Sequence, residues 1–223
     1  MVLRTALAIL AKDLRIEART REGLASALVL GVLLVLVFSV AHDAPADRAP
    51  SLAPAVLWVT FVFTGLLGVQ RSFVLEREHD ALAGLLVAPV DAAALFFGKL
   101  AGNMLLLGVM QAIVLPLVAV LLHVELWAAL PALLVVLLLG NLGFAALATL
   151  FAAITVRARA REVMLPVLLL PLLVPVLIGG VKATQAVLVA GLAAAREPLG
   201  VMAAFDVIVT VAGVLLFEQV VRE

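Results

Sequence analysis

No cysteine occurs in the 223 residues. That removes disulfides, thiolate metal sites and a cysteine nucleophile. Charge is scarce as well. Asp, Glu, Lys and Arg make up 13% of the chain, about half the share found in a soluble domain. Acidic and basic residues balance to a formal charge of zero, so no net field draws in nucleic acid. A phosphate-binding loop is missing too. Its G-x-x-x-x-G-K-[ST] pattern wraps backbone N–H groups and a lysine around phosphates. The sole Gly-Lys pair, Gly98-Lys99, is followed by Leu100 and has Ala93 where the first glycine belongs. Any ATP hydrolysis must therefore come from another chain. The histidines, His42, His79 and His123, show no H-E-x-x-H or comparable metal spacing.

What is present is apolar: 66% of the residues. Charges cluster between uncharged runs, and runs of about 18 or more residues can cross a hydrocarbon core of ~30 Å. Six spans are expected near 24–41, 52–70, 100–122, 126–155, 163–181 and 201–220. The apolar run 183–195 is too short to cross and reads as a short helix or re-entrant piece, within a segment 182–200. The predicted fold is thus all-α: a six-helix membrane bundle forming a single domain over 1–223. Residues 1–22 do not form a cleavable signal peptide, since charges from Arg4 to Glu22 interrupt any apolar core. At 100° per residue Leu3, Leu7, Leu10 and Leu14 share one side and Arg4, Lys12, Arg15 and Arg19 the other. This is an amphipathic helix suited to the headgroup plane.

Orientation follows from Lys and Arg. With the N-terminus inside, twelve of the fifteen lie on inner segments; Arg48, Lys182 and Arg196 lie outside. Both termini then face the cytoplasm. Trp58 and Trp127 fall near outer span ends, where indole rings favour the interface. Pro166, Pro171 and Pro175 should bend span 5 and turn it toward protein or a cavity. Gly98/Gly102 and Gly140/Gly143 permit close helix approach. Thr60, Thr64, Asn103, Gln111 and Asn141 can hydrogen-bond between helices. Asp206 and Glu218 read as interfacial acids near the ends of span 6. His42 and His123 lie at the same membrane face and could approach as axial haem ligands; two solvated imidazoles are the simpler reading. No paired carboxylates or Ser/His set converge at one depth, which argues against an intramembrane enzyme.

The inner segment 71–99 carries the most information. Leu75, Leu82 and Leu86 share a helical face, Glu76, Arg77 and Asp80 lie away from it, and Pro89 ends the helix before Asp91 caps the next. A short amphipathic helix of this kind can seat its apolar ridge in a partner's groove while Glu76, Arg77 and Glu78 fix orientation. The plainer alternative is a helix that merely covers the bundle. Arg157, Arg159 and Arg161 form a second inner cluster, suited to anionic lipid or to a contact with a soluble partner.

Three stretches carry a family resemblance. They are "LEREHDALAGLLVAPVDAAALFFGKLAGN", the opening "KDLRIEARTRE", and "LGNLGFAALATLFAAITVRARAREVMLPVLLLPLLVPVLIGG". Together they resemble the CcmB family, the haem exporter protein B of cytochrome c maturation, an ABC transporter permease similar to the ABC-2 class. Segment 183–200 matches no motif of it. The resemblance implies a non-catalytic subunit in the bacterial inner membrane. It implies a partner CcmA-like ATPase that supplies ATP chemistry, CcmC-like and CcmD-like membrane proteins, a haem chaperone, and a second copy of the chain. It also implies that the helix Glu76–Pro89 couples to the ATPase and that the N-terminal helix is an elbow. Haem is implied as substrate; the residues themselves assign no bound cofactor. The same layout fits a subunit that transmits ATP-driven motion without conducting anything.

Overall fold

The computed structural model describes residues 2–20, 22–41, 49–78, 92–155 and 161–222. Among them all regular structure is helical: α1 (Val2–Thr20), α2 (Glu22–Ala41), α3 (Ala49–Glu78), α4 (Ala92–Leu121), α5 (Leu130–Thr155), α6 (Arg161–Ala190), a 3-10 turn (Leu192–Ala195) and α7 (Arg196–Arg222). Apolar runs in lipid have no water for their backbone groups, and a helix satisfies those groups within the segment. Six helices, α2 to α7, carry stretches long and apolar enough to cross a membrane. The chain is a multi-pass membrane protein.

Cross-helix contacts fix the up-and-down order. Ser39 at the end of α2 donates to the Leu121 carbonyl at the end of α4. Asn103 near the start of α4 meets Thr149 near the end of α5. Trp58 near the start of α3 meets Thr184 near the end of α6. Phe96 at the start of α4 packs edge-on against Phe217 at the end of α7, ring centres 5.6 Å apart. Each pairing requires neighbouring helices to alternate in direction. α3 and α5 form the middle: 72% of each apolar stretch is buried, against 17% for α2 and 22% for α7.

Trp58 closes the centre. The ring is fully buried and lies on Gly140 of α5 and Gly180 of α6, where any β-carbon would collide with the indole. Its Nε1–H donates to Thr184 Oγ1 at 2.8 Å, and Phe61 and then Phe144 stack edge-on beside it. The tryptophan expected at the membrane interface is thus the keystone of three helices. An indole can leave the interface because one hydroxyl satisfies its single N–H. Trp127 remains exposed, as an interfacial ring should be.

Other expectations need correction. The prolines do not turn α6 inward: Pro171 and Pro175 are exposed, while Leu165, Leu169, Leu173 and Val176 form the buried stripe. Residues four apart share a face, so the outward ring pair and the inward leucines occupy separate sides of one continuous helix. Segment 182–200 is no loop or re-entrant piece. α6 runs unbroken to Ala190, and Gly191 turns the chain at φ 79°, ψ −178°, a region open essentially to glycine alone. Its N–H donates to the Val187 carbonyl, and α7 follows at once.

Gly140→Leu or Gly180→Leu should lower stability by about 2–3 kcal/mol through overpacking against Trp58. Trp58→Phe and Thr184→Val should each cost about 1 kcal/mol. Their double variant should lose less than the sum, by ~0.6–2 kcal/mol of coupling. SDS-induced unfolding followed by circular dichroism checks both statements.

Candidate functional site

Of the residues singled out in 71–99, Glu76, Arg77 and Glu78 lie at the end of the bundle that also holds α1. α3 runs on through Glu76 and Arg77 to Glu78. α3 carries no charged residue from Ala49 to Gln70, and the eight residues that follow, half of them charged, carry the helix ~12 Å further. Leu75 to Glu78 are therefore the last described turn of a spanning helix. The alternating run Arg71-Ser72-Phe73-Val74 offers no helix-stop residue, so the helix simply continues. Leu82, Leu86 and Pro89 lie outside the described residues, as do Arg157 and Arg159. Arg161 is the first residue of α6. His42 is likewise outside; His123 is exposed in the turn after α4, with φ 53°.

α1 lies against the start of α4, and its mode of attachment differs from the leucine stripe read in the sequence. Ala6 and Ile9 are the buried residues. They press on Gly98, where an added β-carbon would come within 3.0 Å of Ile9 Cβ and 3.1 Å of the Ala6 carbonyl oxygen. Leu7 and Leu14 stay exposed, which leaves these two for lipid, while Leu10 is half-buried beside Gly102. One turn beyond Ile9, Asp13 accepts from Lys99 Nζ at 2.8 Å, and Lys12 Nζ lies 3.0 Å from the other carboxylate oxygen. The Lys99 and Asp13 side chains are only 7% and 15% exposed, so the pair is far less screened than a surface bridge. The first helix is thereby clamped to the third spanning helix by one apolar seat and one shielded ion pair. Sequence reasoning noted Lys99 and the Gly98/Gly102 spacing but not their common partner. An acid at 13 with a base at 99 is no local pattern.

Deeper in the bundle the polar residues pair across helices. Asn103 donates to Thr149 at 2.9 Å, and Thr149 donates to the Ala145 carbonyl of its own helix. Asn141 donates to Gln111 at 2.9 Å. Thr64 donates to the Thr60 carbonyl within α3. Asp206 is misplaced by the sequence reading. α7 starts at Arg196, so Asp206 lies ten residues in and is buried to 3% exposure, against Gly143 of α5 and not at an interface. Among the described residues no cluster of three or more His, Cys, Asp or Glu side chains could hold a metal. A half-open apolar cavity of about 210 Å³ opens between the ends of α2 and α4 and the start of α3, lined by residues including Phe38, Val56 and Leu122.

The arrangement is therefore a packed membrane bundle with one equipped end. There a surface helix is clamped to α4 and the tip of α3 projects. The CcmB protein family profile matches residues 4–222. Curated relatives agree. "Heme exporter protein B" of Rhodobacter capsulatus is 32% identical over 179 residues, 78% of this chain and 80% of that one. The protein of the same name from Paracoccus denitrificans is 32% identical, covering 80% and 81%. That of Bradyrhizobium diazoefficiens is 28% identical over 92% of both chains. With a matching profile along nearly its whole length and relatives above 30% identity, this chain belongs to the CcmB family.

Proposed function

We propose that this chain is the membrane-spanning permease subunit of an ATP-driven complex for haem export and delivery in c-type cytochrome biogenesis. The CcmB family and the printed names of its relatives support haem as the cargo. The chain lacks a phosphate-binding loop, so ATP acts through a separate CcmA-like ATPase. In this reading the α1 end faces the cytoplasm of a bacterial inner membrane, in line with the excess of Lys and Arg there. CcmC-like and CcmD-like proteins and a second copy of the chain complete the complex.

The single observation that carries the coupling assignment is the extension of α3 past its uncharged run, which ends at Gln70, as far as Glu78. A rigid helix that reaches from the buried centre of the bundle into the aqueous phase is a lever. Motion of a docked ATPase at Glu76, Arg77, Glu78 and the following Leu82, Leu86 and Pro89 passes along α3 to Trp58 and hence to α5 and α6. Arg157, Arg159 and Arg161, between α5 and α6, offer a second contact to the ATPase or to anionic lipid. The clamped α1 would hold the start of α4 against that push.

A second reading also has support. Trp58, Phe61 and Phe144 fill the middle of the bundle, and such a centre suits a subunit that transmits motion to a CcmC-like partner, releasing a haem-loaded chaperone, without conducting haem itself.

Glu76→Lys with Glu78→Lys, or Leu82→Asp with Leu86→Asp, should reduce co-purifying ATPase at least about tenfold, equivalent to ~1.4 kcal/mol, with membrane insertion unchanged. Full co-purification would remove the coupling assignment. Asp13→Asn removes the carboxylate that faces the shielded Lys99 ammonium, a loss of about 3 kcal/mol. It should release α1 while the ATPase still binds. A spin label on Leu7→Cys, in a chain without native cysteine, should then gain mobility.

A further inference from the structure

We propose that Asp206 is a proton-binding site within the membrane, whose carboxyl is protonated while α7 is docked on α5 and whose deprotonation separates the two helices. Among the described residues neither carboxyl oxygen of Asp206 has a hydrogen-bond partner, and neither does Thr210 Oγ1 one turn further along α7. The side chain is 3% exposed. Oδ1 occupies the space above Gly143 that a β-carbon would otherwise take, with Val176 Cγ2 and Phe205 Cδ1 at 3.1 and 3.4 Å from that same point. Apart from Oδ1 itself, the atoms nearest that point are apolar.

Among the described residues no countercharge faces it. α5 has no titratable residue between Leu130 and Thr155, and the 3-10 turn Leu192–Ala195 has none. α6 carries Lys182, which is exposed and six residues beyond Val176, about 9 Å along the helix; its Arg161 and Glu162 lie at the far end. α4 carries Lys99, already engaged by Asp13. On α7 itself Arg196, Glu197, Glu218 and Arg222 stand at least nine residues away. A lone carboxyl in such surroundings takes up a proton rather than bury a charge. A purely structural role is poorly served by a group with no partner, because an apolar residue of similar volume would pack there without an unpaired polar atom.

α7 is also the helix suited to move. Only 22% of its apolar stretch is buried, Val207, Ile208, Val211 and Leu215 face outward, and Gly191 hinges it to α6. Raising the pH removes the proton and leaves a carboxylate against apolar neighbours. Moving α7 outward lets water reach it. The inference is independent of what cargo the complex carries.

The test uses the full chain in lipid nanodiscs. The infrared spectrum at pH 7 should contain a carboxylic-acid C=O band that is lost in Asp206→Asn. It should fade as the pH is raised. Nitroxide labels on Leu138→Cys of α5 and Val207→Cys of α7 should move apart over the same pH interval, and should not do so in the Asp206→Asn background. 13C-aspartate labelling of the wild type should shift the band, which assigns it to aspartate without relying on a variant's folding. An aspartate acid band missing at pH 7 overturns the proposal. So does a band that persists to the alkaline limit of stability, or one that fades with the labels stationary.

Discussion

The bundle depends on one side chain, the indole of Trp58. Helices in lipid gain nothing from hiding apolar surface, since the surrounding tails are equally apolar; they associate through close packing and hydrogen bonds. Trp58 supplies both at one point. Its ring fills the hollows above Gly140 and Gly180, and its N–H is taken by Thr184. α3, α5 and α6 are thereby held to a common centre. Phe61 and Phe144 extend the contact as a row of edge-on rings, and α2, α4 and α7 pack around it.

From that centre outward the structure grows less constrained, and the proposed function uses the gradient. The middle of α3 is locked while its far end continues beyond the uncharged run. A helix fixed inside the bundle and continued beyond it can transmit displacement. α1 is held by different means, an apolar seat at Gly98 and the Asp13–Lys99 pair. α7 is the least enclosed of the helices after α2, and it carries the one deeply buried acid for which the described residues show no partner. α1 therefore rests partly on an ion pair, and the core rests on shape.

The candidate site was legible only in part. Glu76, Arg77, Glu78 and the arginines near 157–161 stand out because charge is rare in this chain, and charge between apolar runs must lie where water is. The leucine periodicity of 75–86 gave no sign that its first residues, Leu75 to Glu78, belong to the spanning helix α3; Leu82, Leu86 and Pro89 lie outside the described residues. Asp206 was assigned to an interface by counting from an assumed span start. The true start of α7 lies at Arg196, immediately after the Gly191 turn, and a shift of a few residues moves an acid from headgroups to the interior.

The sequence by itself determined the number of spans, the helical class and, through joint motifs, the family. Those properties are sums over segments: hydropathy, charge spacing and residue order are additive along the chain, and lipid leaves a long apolar segment no choice but a helix. Which helix is central, which glycine lies under which ring, and which lysine answers Asp13 were decided only in three dimensions. A glycine reads the same whether it faces lipid, an indole or a carboxyl. Its meaning lies in the side chain on the opposing helix, tens of residues away, and no local pattern encodes that pairing.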